Sequence, residues 1–311
     1  MNYYHTFSEE MKRKFGEKVY KLPVNLPVSC PNRVDGKDGC IFCSELGTGF
    51  ESMEQSVSVT EQLWNARNKV EKKYNSHLFI AYFQNYTNTF LPIEQFRSFM
   101  EEAAQFPNLV GIAVSTRPDC ISNEYLDVLK QLKDRYHIEI FMELGLQTVN
   151  YHTLDLIQRG HGLGAFLESV LLIKEYSFLV TVHLILNLPG DTMRDVEEVV
   201  DVLNALPIHC VKLHSLYVPK NTKLSLLVKN GKLSLGTKEE YLDRITYFVT
   251  HCRPDFIIER LFSRIPEEES EFSNWGYSWR KLQNEWEQNM DTNGWYQGIF
   301  YERASTRSLL K

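Results

Sequence analysis

The sequence predicts an α/β protein built on a parallel sheet, either a complete or partial (β/α) barrel or a doubly wound sheet. Three observations lead there. Seven short apolar runs of strand character recur along the chain. Amphipathic stretches, long enough for helices of about two to four turns, lie between most of them. After residue 262 the alternation stops and a tryptophan-rich segment begins. A strand, a helix and a strand again is the pattern of right-handed βαβ units.

Residues 1–16 are polar and basic and lead into the fold. Strands are predicted over 18–26, 77–85, 109–116, 138–147, 179–187, 210–218 and 255–261. Helices are predicted over 58–73, 93–105, 123–135, 163–176 and 193–206. An acidic stretch, 267–271, then precedes Trp275, Trp279, Trp286 and Trp295, four of the five tryptophans. An amphipathic helix over 278–289 is expected to pack on the sheet edge, with base stacking on these rings as the functional alternative. Without an internal repeat or a clear linker, the expectation is a barrel unit over 1–261 carrying a C-terminal extension over 262–311.

Composition sets limits. A chain of 311 residues with 43% apolar side chains can bury a sizeable core, and 24% charged residues is ordinary. A formal charge of −6 argues against a global electrostatic grip on nucleic acid. The basic clusters Lys12-Arg13-Lys14 and Arg303, Arg307, Lys311 read as a solvated face and tail. No apolar run approaches the roughly 20 residues that span a bilayer. The start, Met-Asn-Tyr-Tyr-His, has no secretory pattern, so a cytoplasmic protein with no membrane partner is expected. Six cysteines are too sparse for a disulfide framework, and Cys120, Cys210 and Cys252 read as small buried hydrophobes.

Cys30, Cys40 and Cys43 differ. They fall within fourteen positions, after the first predicted strand and before a glycine-rich turn, Gly47-Thr48-Gly49. In α/β sheets ligands bind beyond the carboxyl ends of strands, so this loop sits at the site end. Three thiolates with no fourth at matching spacing leave one coordination position open. A structural zinc completed by a distant histidine competes with a [4Fe–4S] cluster whose fourth iron is free, and the nine-residue gap favours the cluster.

Other strand ends are polar. Period-two counting places Glu143, Gly145 and Gln147 on one face of the fourth strand. Arg159 follows a short helix, where a guanidinium can hold a carboxylate bidentately. Lys212 and His214 share a face of the sixth strand, and His183 precedes the end of the fifth. The run from Tyr82 to Thr89, with Gln84 and Asn85, follows the second strand; Thr116 and Arg117 end the third. Such groups suit an active-site mouth. No Walker loop or Rossmann fingerprint competes.

With these motifs in this order the sequence resembles the radical S-adenosylmethionine (AdoMet) enzymes. The match is to a bacterial family related to the radical-AdoMet half of the Elongator catalytic subunit. Its carriers are Cys30-Pro31-Asn32-Arg33, Gly39-Cys40-Ile41-Phe42-Cys43, Tyr82-Phe83-Gln84, Thr87-Asn88-Thr89, Thr116-Arg117-Pro118-Asp119, Glu143 to Thr148, Arg159-Gly160-His161 and Lys212-Leu213-His214. Trp279 and Lys281 are weaker matches. The wider superfamily spaces its cysteines Cys-x3-Cys-x2-Cys; the longer first gap here is shared with the Elongator branch.

The resemblance implies a partial (β/α)6 TIM-like barrel of the radical-AdoMet type with a C-terminal helical extension. Cys30, Cys40 and Cys43 would hold the [4Fe–4S] cluster, and AdoMet would chelate its fourth iron. Phe42 would lie against the adenine, Arg159 would reach the methionine carboxylate, and Glu143 and Gln147 would bind the amino acid or ribose. Gln84 and Asn85 occupy the place of the amino-group ligands, and Thr116 is a ribose candidate. An electron from a flavodoxin- or ferredoxin-type protein would cleave AdoMet to a 5′-deoxyadenosyl radical. The implied substrate is the 5-substituent of a transfer RNA wobble uridine, faced by Lys212, His214 and Tyr82. A small molecule or tetrapyrrole is the alternative substrate, and a zinc-stabilised RNA-binding module the non-catalytic alternative.

Overall fold

A computed structural model describes residues 2–43, 53–74, 76–265 and 267–302. Its strands are β1 (Val19–Val24), β2 (Leu78–Phe83), β3 (Leu109–Thr116), β4 (Glu139–Gln147), β5 (Leu179–Ile185), β6 (Cys210–His214), β7 (Val218–Pro219), β8 (Ile257–Arg260) and β9 (Ser270–Phe272). Strands β1 to β6 and then β8 pair in that order, every pair parallel, into one seven-stranded sheet. Helices α1 (Phe7–Phe15), α2 (Val59–Tyr74), α3 (Ile93–Ala104), α4 (Asn123–Tyr136), α5 (Tyr151–Leu156), α6 (Leu163–Glu175), α7 (Met193–Ala205), α8 (Lys223–Lys229), α9 (Lys238–His251) and α10 (Trp279–Asn293) complete the chain. The fold is a partial TIM-like barrel: six strand–helix repeats and a seventh strand.

The sheet curls because its two faces are covered by different things. Residues such as Phe79, Val114, Met142 and Val182 point outward into the main core against α2, α3, α4, α6 and α7. The inner face carries Val19, Ile80, Tyr82, Ala113 and Phe141, and α1 fills the space between them with Phe7, Met11 and Phe15. The sequence-based lead-in of residues 1–16 is therefore a structural plug. Thr6 caps α1 in a reciprocal capping box with Glu9, and Gly16 ends it in the left-handed region, where only glycine is unstrained. Just before the helix, the carbonyl of His5 accepts a hydrogen bond from Ile258 N–H at 2.8 Å. The amino end of the barrel is closed in this way, and the cavity opens at the carboxyl ends.

All seven predicted strands exist, with one correction. The predicted strand over 210–218 breaks after His214. There the Ser215 hydroxyl donates to Asn274 at 2.6 Å and accepts from Ser263 N–H at 3.1 Å, and the chain turns away. The remaining β7 pairs antiparallel with β9 as a separate ribbon. Trp286 of α10 is fully buried, and its indole N–H donates to Thr246 of α9 at 3.0 Å. Trp275 donates to the Gly236 carbonyl and packs beside Tyr241. Among the described residues no helix is long and apolar enough to cross a membrane. The glycine-rich turn Gly47-Thr48-Gly49 and the basic group Arg303, Arg307, Lys311 lie outside the described residues.

Candidate active site

A cavity of about 510 Å³ lies at the carboxyl ends of the strands. Cys30, Cys40 and Cys43 all line it, as do Phe42, Tyr82, Gln84, Thr116, Glu143, Gln147, Arg159, His183 and His214. Among the described residues, six cationic side chains, Lys21, Arg33, Arg117, Arg159, Arg260 and Arg264, line it with two carboxylates, Glu143 and Glu259. In a chain of net charge −6 this is a local reversal of sign.

The cysteine loop is held from several sides. The short helix Pro31–Arg33 follows Cys30, and Cys43 N–H bonds the Cys40 carbonyl at 2.9 Å. Ile41 N–H bonds the carbonyl of Ile157, just past α5, and the Ile41 carbonyl accepts from Leu224 N–H of α8. Asn32 donates to the carbonyls of Gln158 and Arg159 at 2.9 and 2.7 Å, tying the loop to the α5–α6 turn. Arg117 and Arg159 each direct an N–H at a thiol, Cys30 and Cys40 respectively, at 3.7 Å. Burial pushes the Cys43 thiol up, and the Arg33 guanidinium beside it works in the opposite direction. The other three thiols are of another kind: burial pushes Cys120 up to about 12 and Cys210 and Cys252 higher still. Cys210 and Cys252 are inert core residues. Cys120, expected to be buried, is only half-buried, because it ends the short helix Pro118–Cys120 beside Asp119.

Among the described residues no group of three His, Cys, Asp or Glu side chains gathers tightly enough to hold a single metal ion. The three thiols share a cavity without meeting at a point, and a cluster that takes one thiolate per iron does not ask them to. All three are free thiols. Beside Cys40, the Arg159 guanidinium gives one N–H to the Gly145 carbonyl at 2.7 Å, while its buried Nε finds no partner. A buried donor without a partner is costly. This orphaned donor at the edge of the cysteine loop fits an anionic group beside the thiols. Gln147 reaches the same wall because β4 slips register between Gly145 and Gln147, and Gln147 adopts φ 75°.

The floor of the cavity is a saturated charge network. Glu143 Oε1 accepts from Lys21 at 2.6 Å. Its Oε2 accepts from Tyr82 at 2.9 Å, His183 Nε2 at 2.7 Å and Lys212 at 3.0 Å. Lys21 and Lys212 also reach Glu259, at 2.8 and 3.2 Å. Burial works against the Glu143 carboxylate, but the two ammonium groups and His183 outweigh it and hold its pKa well below the usual range. Burial pushes the Tyr82 phenol well up. His183 and His214 are both lowered, chiefly by burial, so both imidazoles are neutral near pH 7.

Three expectations about individual residues change. Glu143 was expected to reach the amino acid or ribose of AdoMet; both its oxygens are already taken by protein donors. Lys212 is fully buried beneath the cavity and does not line it, because β6 continues the inner face downward from His214. Asn85 is also buried and off the cavity wall, with its carbonyl capped by Asn88. Sequence reasoning missed Lys21, Glu259 and Arg260, whose meeting depends on bringing the first and last strands together. Lys21 does sit mid-strand among apolar neighbours, a signal for a paired charge.

A sequence profile of the Radical SAM superfamily matches residues 24–203, and one of the Radical_SAM C-terminal domain matches residues 208–292. The chain belongs to the Radical SAM superfamily and is a radical-AdoMet enzyme. It is 30% identical over 310 residues to YtqA of Bacillus subtilis, covering 99% of this chain and 95% of that protein. A tRNA uridine(34) acetyltransferase of Methanocaldococcus infernus is 27% identical over 143 residues, 44% of this chain and 26% of its own length. The structure of Elp3 from the same archaeon superposes with a TM-score of 0.70 at 18% identity, covering 90% of this chain and 64% of the Elp3 chain. That likeness establishes a common fold.

Proposed function

We propose that this enzyme binds a [4Fe–4S] cluster through Cys30, Cys40 and Cys43 and AdoMet beside it, and modifies the 5-substituent of a transfer RNA wobble uridine. The observation that carries the reading is a single cavity lined by three free thiols on one side and six cationic side chains around it. When bound, the cluster and AdoMet together supply a hydrogen-abstracting radical. The protein's part is placement. Arg159 and Gln147 hold the methionyl end, Phe42 packs on the adenine, and Gln84 and Thr116 face the amino group and ribose. His214 and Tyr82 turn toward the substrate from the floor, above the Glu143 network. Free thiols and the need for an electron suit a reducing cytoplasm and a flavodoxin- or ferredoxin-type donor.

Support for the nucleic-acid substrate is the cationic lining together with the partial match to a tRNA uridine(34) acetyltransferase. Anaerobic reconstitution should load about four irons and four sulfides per chain. Dithionite and AdoMet should then release 5′-deoxyadenosine, and Cys43→Ala should abolish both. Stoichiometric zinc without cleavage would overturn the cofactor reading. Nucleoside mass spectrometry of transfer RNA from a deletion strain should show a changed wobble uridine; an unchanged profile overturns the substrate reading.

A further inference from the structure

The arginines of the cavity wall divide into two groups. Arg33, Arg117 and Arg159 are engaged around the cysteine loop, with the Cys43 carbonyl, with Asp119 and Cys30, and with Gly145 and Cys40. Arg260 and Arg264 are not. Arg260 ends β8 and Arg264 lies in the turn after it, both lining the cavity. Neither guanidinium has a hydrogen bond or an ion-paired carboxylate among the described residues. The carboxylate next in sequence, Glu259, also lines the cavity but is ion-paired with Lys21 and Lys212, not with either arginine. The cysteine loop leaves β1 and this pair leaves β8, the two edge strands of the sheet.

Arg264 is nevertheless held in place. Its guanidinium lies 4.0 Å from the centroid of the Trp279 ring, and Arg280 approaches the same ring at 4.7 Å. Partial burial first, and the charge of Arg260 second, push the Arg264 pKa down. Two guanidiniums on one cavity wall, close enough to feel each other and neither ion-paired, repel, and an anion bound by both removes that cost. Their planar forks match the oxygens of a phosphate better than an ammonium does.

We propose that Arg260 and Arg264 form a phosphate-binding subsite on the cavity wall, taking a phosphate group of the substrate while Trp279 positions the Arg264 guanidinium. The arginine pair asks only for phosphate; the uridine in the probe below rests on the wobble-uridine reading.

The test is isothermal titration of the reconstituted, AdoMet-loaded enzyme with uridine 5′-monophosphate and, separately, with uridine. The nucleotide should bind at least about tenfold more tightly than the nucleoside, the worth of one charge-assisted hydrogen bond. That advantage should disappear in the Arg260→Gln/Arg264→Gln double variant, return in part in Arg264→Lys, and be displaced by inorganic phosphate. AdoMet affinity should be the same in all forms. Equal binding of nucleotide and nucleoside to the unaltered enzyme, or an advantage that survives the double substitution, overturns the subsite. A phosphate advantage lost in the double variant alongside an unchanged transfer RNA profile keeps the subsite and removes the wobble-uridine reading. A changed profile with no phosphate advantage does the reverse.

Discussion

His183 Nε2 lies 2.7 Å from Glu143 Oε2, while its Nδ1 lies 3.3 Å from His214 Nε2. Because Glu143 is ionised, His183 donates from Nε2 and its Nδ1 accepts from His214; this tautomer assignment follows from the hydrogen-bond network. The two rings stack with centroids 5.3 Å apart. A buried carboxylate thus acts through one imidazole on a second that faces the cavity.

Substituting the hub should be costly. Glu143→Gln leaves Lys21 and the fully buried Lys212 with a single carboxylate, Glu259, at the largely buried cavity floor. The expected loss is about 3–5 kcal/mol of folding stability. Lys212→Met in the same chain should recover part of it, since it removes the surplus charge. Urea unfolding of the single and double variants measures both, and additive losses would mean that the two residues are not coupled.

Stability should fall as the solution is acidified from about pH 6.5 toward pH 4. His161 is depressed to about 4, first by burial and then by the Arg159 charge; His183 and His214 are depressed as well. In this window the unfolded chain takes protons that the native imidazoles refuse, so the unfolded state gains. For His161 alone the loss is on the order of 3 kcal/mol once pH reaches its native pKa. Urea midpoints at pH 7.5 and 4.5 test the sign, and His161→Asn should flatten the difference.

Gly145→Ala should separate binding from folding. A Cβ at this position would come within 2.5 Å of the Arg159 terminal nitrogen and 2.9 Å of the Gln147 amide nitrogen. Both side chains would have to move, and both are proposed to hold the methionyl end of AdoMet. AdoMet affinity should drop by about tenfold, with the unfolding midpoint falling only modestly, since the Gln147 amide can swing away and Arg159 gives up one bond, to the Gly145 carbonyl. Equilibrium dialysis with labelled AdoMet reads the first, and thermal unfolding the second.

The plug should be part of the folding unit. Met11 is 1% exposed among inner-face residues of four strands, so Met11→Ala should cost about 2–4 kcal/mol. A loss under about 1 kcal/mol in urea unfolding would mean that the barrel closes without α1.

The parallel strands were legible because a strand buried on both faces reads as an unbroken apolar run, as in Leu109–Thr116. The cysteine loop was legible from spacing. Helices α1 and α9 were missed although each carries a readable start, Thr6 with Glu9 and Thr237 with Glu240. The first was hidden by its polar composition and the second by the expectation of one helix per strand. What sequence could not supply was the meeting of Lys21 with Glu259, 238 positions apart, because the curl of a sheet is decided by what fills its inner face. The saturation of Glu143 was hidden for the same reason: without the curl, its carboxylate looks free.

In the parallel sheet β1 and β8 are the two edge strands, and they are joined by the Lys21–Glu259 ion pair and the lodged helix α1. A fully closed barrel has a girth fixed by its hydrogen-bond ladder. Here the circumference has a seam clasped by side chains, and the thiols lie on the loop leaving one lip of it while Arg260 and Arg264 lie on the other. The width of that seam therefore sets the distance between the three thiols and the arginine pair, which on the proposed reading is the distance from radical source to substrate anchor.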